Sequence, residues 1–220
     1  MSRSLSPMQS YYAARASEYD GIYRKPERQT DLRAIERWLP SLLAGATVLE
    51  VACGTGYWTQ FIAPVAHSVV AIDSAAETLC IAEQRVPASN VEFQVGDAYA
   101  LFRHGLAFDA AFAGFWFSHV PLERQREFLL GLNAALQPGA KVVLLDNLFV
   151  EGSSSAISGQ DAAGNTYQSR KLGDDSTHRI LKNFPTGAQL RSLAAAGVGE
   201  SATFTTWQFY WAFKYLVPEP

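Results

Sequence analysis

Short apolar runs alternate along this chain with stretches whose apolar positions recur every three or four residues, a repeated switch between strand and helix periods. "ATVLEVA", "HSVVAID", "NVEFQVGDAY", "FDAAFAGF" and "PGAKVVLLDNLF" read as strands. Between them, "TDLRAIERWLPSLL" sets Leu32, Ile35 and Leu39 on one helical face. "YWTQFIAPVA" gives a short helix that buries Trp58, Phe61 and Ile62 and stops at Pro64. Ser74 and Glu77 have the spacing of a capping box, in which each side chain serves a free backbone N–H at the start of "SAAETLCIAEQRV". Pro121 suits the first position of a helix over "LERQREFLLGLNAALQ", where its missing N–H costs nothing. Unbroken apolar strands alternating with helices are what a parallel sheet covered on both faces requires.

Two segments leave this rhythm. Residues 151 to 184 begin Ser/Gly-rich and continue as two polar strands, "TYQSRKL" and "THRILKNF", joined by "GDDS", which predicts an inserted hairpin. Thr186 and Gln189 then cap a helix ending near Gly197. "TFTTWQFYWAFKYLV" finishes the chain as one long strand or two, with Trp207, Phe209, Trp211, Phe213 and Tyr215 on one side at period two. That side is expected to face the core.

Composition narrows the partners. Eighteen basic and 21 acidic residues give a formal charge of −3, so no global field draws the chain to nucleic acid or to an anionic membrane. No stretch approaches the roughly 20 apolar residues that span a bilayer, and the first twenty residues lack an apolar signal core. Cys53 and Cys80 are too few for a disulfide framework, which suits a reducing, cytoplasmic setting. At 220 residues a single domain is expected.

The candidate chemistry begins at "VLEVACGTGYW". Removing side chains at Gly54 and Gly56, between a strand end and a helix start, lets a ligand approach the backbone. The loop is no triphosphate loop, since Gly-Lys-Ser/Thr is absent, and Thr59 stands where a dinucleotide loop wants its third glycine. Three acids sharpen the reading. Asp73 ends the second strand, where a carboxylate can accept from both ribose hydroxyls. Glu50 sits before the loop, where buried negative charge disfavours a phosphate and favours a cationic ligand. Asp97 ends the third strand, placed for an exocyclic amine. For each acid alone, a solvated strand end is the alternative.

With these residues in view, "VLEVACGTG", "VVAID", "VGDA", "FDAAFAGFWFSHVP" and "LQPGAKVVLLD" resemble the class I S-adenosylmethionine-dependent methyltransferases over roughly residues 46 to 148. The family's first-loop pattern is met by Glu50, Ala52, Gly54 and Gly56, with alanine at 52 as a variant. Pattern and resemblance together give an α/β, Rossmann-like, doubly wound seven-stranded and mostly parallel sheet with a C-terminal antiparallel strand and the inserted hairpin. The resemblance implies S-adenosylmethionine as cofactor and S-adenosylhomocysteine as product. It places Glu50 near the aminoacyl end, Asp73 and the adjacent Ser74 at the ribose, Asp97 and Ala98 at the adenine, and Ala113 to Phe115 beside methionine and substrate. It also implies that the first 30 residues form a lid helix touching the cofactor through Tyr11 or Tyr19.

The activity expected is methyl transfer to an oxygen, nitrogen or carbon of a small molecule. Two other readings stay open: a module that binds the cofactor without turnover, and an NAD(P)-dependent oxidoreductase, although the Tyr-x-x-x-Lys spacing of Tyr210 and Lys214 lies in a strand-like aromatic run and is better put down to chance. "AGFW" after the fourth strand lacks the tetrad of nucleic-acid amino methylation. Asp146 and Asn147 lack a third oxygen ligand, so no metal is expected and they are read as a strand end. If the acceptor is a hydroxyl, His119 is the candidate base, with a near-neutral pKa expected; packing or capping is its alternative. His178 is a lesser candidate, and His67 and His104 read as loop residues. Phe115, Trp116, Phe117 and the N-terminal Tyr11, Tyr12, Tyr19 and Tyr23 predict an apolar, aromatic-lined acceptor site. The insertion is expected to shape that site or to pair two copies as a homodimer.

Overall fold

In the computed structural model, residues 16–101, 108–171 and 175–219 are described, with the side chains of 16–19 left aside. Tyr11, Tyr12 and His104 lie outside the described residues. A 3-10 segment, Ala16–Arg24, leads through Pro26–Arg28 into α1 (Gln29–Leu43). There follow β1 (Thr47–Val51), α2 (Thr59–Ile62), β2 (Ser68–Asp73), α3 (Ala76–Arg85), β3 (Val91–Val95) and β4 (Phe108–Gly114). Short 3-10 turns at Phe117–His119 and Leu122–Arg124 precede α4 (Gln125–Ala134) and β5 (Leu136–Asn147). Pro121 therefore opens a 3-10 turn, and the α-helix begins four residues later than its sequence pattern suggested.

The main sheet has the order β3-β2-β1-β4-β5-β10-β9, where β9 is Glu200–Thr206 and β10 is Tyr210–Leu216. Strands β1 to β5 pair in parallel, and β10 runs antiparallel to both neighbours. The seven-stranded, mostly parallel expectation therefore holds. Chain order reverses between β1 and β4, and in such sheets the crevice at the carboxyl ends of these strands is where ligands bind.

Helices cover both faces because alternate strand residues are apolar on both. On one side Leu32, Ile35, Leu39 and Leu43 of α1, with Trp58, Ile62 and Leu79, pack on Val48, Val69, Ala71, Phe112 and Val143. On the other, Phe128, Leu129 and Leu132 of α4 and Leu190 of α5 (Gly187–Leu193) pack on Leu49, Val51, Val70, Ala111 and Leu144. The capping box at Thr186 and Gln189 forms as expected.

The aromatic run near the C-terminus does not behave as one stripe. It breaks into β9 and β10, so Trp211, Phe213 and Tyr215 enter the α4 side of the core while Phe209 enters the α1 side. Trp207, in the connection, meets Trp38 edge-on with centroids 5.2 Å apart.

The inserted hairpin is present as β7 (Thr166–Lys171) and β8 (Thr177–Leu181), and it gains a third strand, β6 (Ile157–Gln160). This small antiparallel sheet stands beyond the carboxyl end of β5. It is bound to the turn after β4 through backbone and side-chain hydrogen bonds: Asn183 N–H donates to the Ser118 carbonyl at 2.8 Å, and its amide donates to the Val120 carbonyl at 3.2 Å.

Candidate active site

The glycine loop bends where the sequence lacks side chains. Gly54 and Gly56 adopt φ of 57° and 74°, and a Cβ on Gly56 would come within 3.0 Å of the Ala82 Cβ, so the loop packs directly against α3. Ala52 shares the left-handed conformation with φ of 55°, which explains why the resemblance expects glycine as an alternative there. Phe115 is likewise left-handed at 59°, and its N–H donates to the Leu145 carbonyl at 2.7 Å. That kink at the end of β4 carries the ring against Tyr23, Trp58 and Tyr210. Gly114 beside it has no space for a Cβ, which would meet Phe112 and Trp58 at 2.9 Å.

Asp73 organises the first wall of the crevice. Its carboxylate accepts from Gly54 N–H at 2.9 Å, Ala75 N–H at 3.0 Å and the Thr78 hydroxyl at 3.2 Å. These bonds favour the charged form, yet burial outweighs them and raises its pKa. The expected capping box is corrected: α3 has Ala75 at its N-cap with no side-chain cap, Glu77 is exposed, and Asp73 instead accepts from the Ala75 N–H and the Thr78 hydroxyl at the helix start. Ser74 remains beside the loop as a half-buried residue.

Glu50 lies deeper, only 1% exposed, and its Oε2 has no hydrogen-bond partner among the described residues. Burial, first of all, pushes its pKa up to about 8, with nearby Asp73 adding to the shift. An unmatched buried carboxylate costs free energy unless a ligand supplies the missing donor or charge. Asp97, half-buried, holds its own turn by accepting from Tyr99 N–H at 2.9 Å, and Gly96 N–H ties that turn to the Asp73 carbonyl. Ala98 follows in the same turn. Glu50, Asp73, Asp97, Ala98, Ala113 and Phe115 thus belong to the carboxyl ends of four neighbouring strands or the turns that follow them.

The Ala16–Arg24 segment covers this edge. Asp20 accepts from the Thr55 hydroxyl at 2.7 Å and pairs with Arg85 of α3. Tyr23 stacks on Tyr57, centroids 3.4 Å apart and nearly coplanar, and approaches Phe115 at 5.7 Å. Tyr19 belongs to the same segment, and its side chain is outside those described.

Beside Phe115 opens a cavity of about 320 Å³, lined by the segment before α1, the end of β5 and the small sheet. Of the expected wall aromatics Phe115 reaches it, joined by Tyr210 and Phe184, but Trp116 packs against Tyr99 and Phe128, and Phe117 is buried against Phe128 and Trp211. Apart from Ile22, the remaining described lining is polar or basic.

His119 does line this cavity, and His178 and His67 do not. His119 Nδ1–H donates to the Leu181 carbonyl at 2.6 Å. Burial, with Lys182 and Arg170 nearby, lowers its pKa to about 3, so the expected near-neutral titration is corrected and the ring is neutral. Sequence reading missed Lys182 altogether. Its ammonium, 4% exposed with the rest of the residue, donates to Ser118 Oγ at 2.5 Å and to Asp146 Oδ1 at 2.8 Å. Asp146 also accepts from Ser118 N–H. Burial alone would raise this carboxyl, but the Lys182 charge and these donors hold it below its usual range. The signal available in sequence was a lysine inside the apolar-flanked "RILKNF", with an acid, Asp146, at a strand end to answer it.

A switch-point crevice with a glycine loop and an unpaired buried carboxylate defines an α/β protein built to take an adenosine cofactor that carries positive charge. The family model for a methyltransferase domain matches residues 48–139. The solved DhpI–SAH complex is 30% identical, covers 97% of each chain and superposes with a TM-score of 0.78. The DhpI–SAM–HEP complex is 32% identical over 94% of this chain and 95% of that one, with a TM-score of 0.75. The demethylmenaquinone methyltransferase of Shouchella clausii (strain KSM-K16) is 31% identical over 109 residues, 47% of this chain and 46% of that protein. The chain thus matches about half the length of such curated relatives. It belongs to the S-adenosylmethionine-dependent methyltransferase family. Both DhpI structures carry the donor or its product, S-adenosylhomocysteine, and S-adenosylmethionine is the cofactor here.

Proposed function

We propose that the crevice between β1 and β4 holds the donor and that the adjoining cavity holds the small-molecule acceptor, with Phe115 between them. The observation that carries this reading is the Glu50 carboxylate, buried under the glycine loop with one oxygen unpartnered among the described residues. A ligand ammonium supplies what that oxygen lacks, and a diphosphate would meet repulsion instead. Gly54 and Gly56 leave the backbone open to close approach, with Ala52 completing the turn. Asp73 and Ser74 stand at the ribose, and Asp97 with Ala98 N–H at the adenine. Ala113 and Phe115 form the wall next to the transferring group.

S-adenosylmethionine supplies a methyl group activated by a sulfonium. Positive charge disappears in the in-line displacement, so the protein's work is alignment and exclusion of water. Phe115, held by its Leu145 hydrogen bond, aligns the two ligands, and the Ala16–Arg24 segment excludes water. His119, neutral and fixed through Nδ1, lines the acceptor cavity without serving as a charged group. This proposal extends to a cytoplasmic setting and to no role for nucleic acid. Among the described residues no helix is long and apolar enough to cross a membrane.

Titration calorimetry with S-adenosylmethionine, S-adenosylhomocysteine and NAD tests the reading on wild type and Asp73→Ala. Both sulfur nucleosides are expected to bind the wild type, with at least about tenfold weaker binding to the variant as ribose contacts are lost. Tight NAD binding with no response to either would overturn it. Binding without turnover on any acceptor would favour the module that only holds the cofactor.

A further inference from the structure

The acceptor cavity gathers five cationic side chains, Lys25, Arg28, Arg170, Lys171 and Lys182, and among the described residues no Asp or Glu lines it. They converge from three parts of the chain: the segment before α1, strand β7, and the residue after β8. Lys182 is matched by buried Asp146, and Lys171 pairs with Asp175 at an exposed position, 2.5 Å away. Lys25 and Arg28 donate to neutral oxygens, and Arg170 has Gln168 among its partners. Lys25 reaches the Ser153 carbonyl, Arg28 reaches Asn147 Oδ1 at 2.7 Å and Ser153 Oγ at 3.0 Å, and Arg170 reaches Gln168 Oε1 at 3.0 Å. Glu27, exposed at the rim, accepts from the Ser153 hydroxyl and offsets only part of the charge.

Like charges gathered in a confined, half-dry volume repel one another until an anion enters. The repulsion is expressed in the groups themselves. Lys25 has its pKa lowered by burial and then by Arg28, and Lys182 has its own lowered by burial, with Arg170 and Arg28 contributing. Arg28 is also locked in place, 5% exposed and lying over the Phe209 and Tyr210 rings at 5.2 and 5.5 Å. Such a guanidinium is preorganised for oxyanion binding rather than free to drift into solvent.

We propose that the methyl acceptor is a small organic oxyanion, a phosphoryl or carboxyl acid, whose charged group lies against Lys25, Arg28, Arg170 and Lys182 and whose own oxygen takes the methyl group. The proposal rests on the reading above that this cavity adjoins the donor. In the transfer an oxygen lone pair of the ionised acid forms the new O–CH3 bond. The S–CH3 bond breaks with its electron pair passing to sulfur, which ends as a thioether. One negative and one positive charge vanish together, and no proton is released. No general base is needed, which fits a cavity with no carboxylate among the described residues of its walls and a histidine whose Nδ1–H is committed to Leu181. The surviving cations then face a less charged ester, which favours its release.

The test is titration calorimetry on the full chain saturated with S-adenosylhomocysteine, using methylphosphonate, acetate and phenol as probes. Methylphosphonate is expected to bind most tightly, acetate more weakly, and phenol not at all. Arg170→Met and Lys25→Met are each expected to weaken methylphosphonate about tenfold, Arg170→Lys to recover part of the loss, and S-adenosylhomocysteine affinity to stay the same in all three. Unchanged thermal unfolding of the variants keeps a folding defect apart from a binding one. With methyl-labelled donor, the product of a phosphonic or carboxylic acid is expected to be its methyl ester by NMR. Binding and turnover of phenol or a hydroquinone in preference to the acids would overturn the proposal. So would anion binding indifferent to Arg170→Met, or competing with S-adenosylhomocysteine. Failure of S-adenosylhomocysteine itself to bind has a different signature: it removes the donor reading, and this proposal with it.

Discussion

Glu50 must give up a proton before it can receive a cation well. With its pKa at about 8 in the free protein against an ordinary 4.5, the folded chain holds a proton there that the unfolded chain releases. Stability from this group is therefore present at low pH, declines as pH rises above about 4.5 and levels off beyond about 8. Affinity for S-adenosylhomocysteine runs the other way, rising with pH by up to about tenfold per unit until about 8, because the bound ammonium favours the carboxylate. Calorimetry from pH 6 to 9 on wild type and Glu50→Gln checks both signs; the variant is expected to bind weakly and without the slope. At Ala52, φ of 55° strains an alanine but not a glycine, so Ala52→Gly is expected to stabilise by about 0.5–1 kcal/mol in thermal unfolding, with donor binding intact. Acids at strand ends are legible in sequence because spacing alone fixes their edge. Their hydrogen bonds are not, as Ser74 illustrates: it had the spacing of a cap, but the helix starts one residue later, uncapped, and Asp73 binds the Ala75 N–H and the Thr78 hydroxyl there.

Elements succeed or fail here by what they are tied to. The Ala16–Arg24 segment is held over the glycine loop by Asp20, through Thr55 and Arg85. Asp20→Ala is expected to weaken S-adenosylhomocysteine about three- to tenfold and to speed proteolysis near residue 20, while global stability changes by less than about 1 kcal/mol, since the pair is partly exposed. The small sheet is anchored by the buried Lys182–Asp146 pair. Lys182→Met strands a buried carboxylate and is expected to cost about 3–5 kcal/mol, whereas Lys182→Met with Asp146→Asn is expected to recover more than half, as denaturant titrations would show. The two polar strands of the insertion were readable from their composition and turn. Strand β6 was not, because "ISGQ" carries no apolar alternation and exists only by pairing with β7. In the C-terminal run, a period of two was real within Trp211, Phe213 and Tyr215, but the break at residues 207–209 puts Trp207 and Phe209 on the opposite face.

For the molecule as a whole, an α/β sheet with its crevice at the switch point followed from alternation of periods, since that pattern is local and repeated. The character of the acceptor cavity did not, since Lys25, Arg170 and Lys182 are far apart in sequence and sit in segments that look like ordinary polar surface. Saturating S-adenosylhomocysteine, at about 100 times its dissociation constant, is expected to add about 2.7 kcal/mol and raise the melting temperature by about 5–10 °C, with NAD giving no shift. Differential scanning calorimetry reads both.

The hydrogen bond from Lys25 to Ser153 closes a loop of 128 residues. Contacts of such span form late, once the pieces that carry them are already in place. After dilution from denaturant, helical and sheet signals should thus return before turnover does, and recovery of methylation would time the last docking event rather than the first collapse.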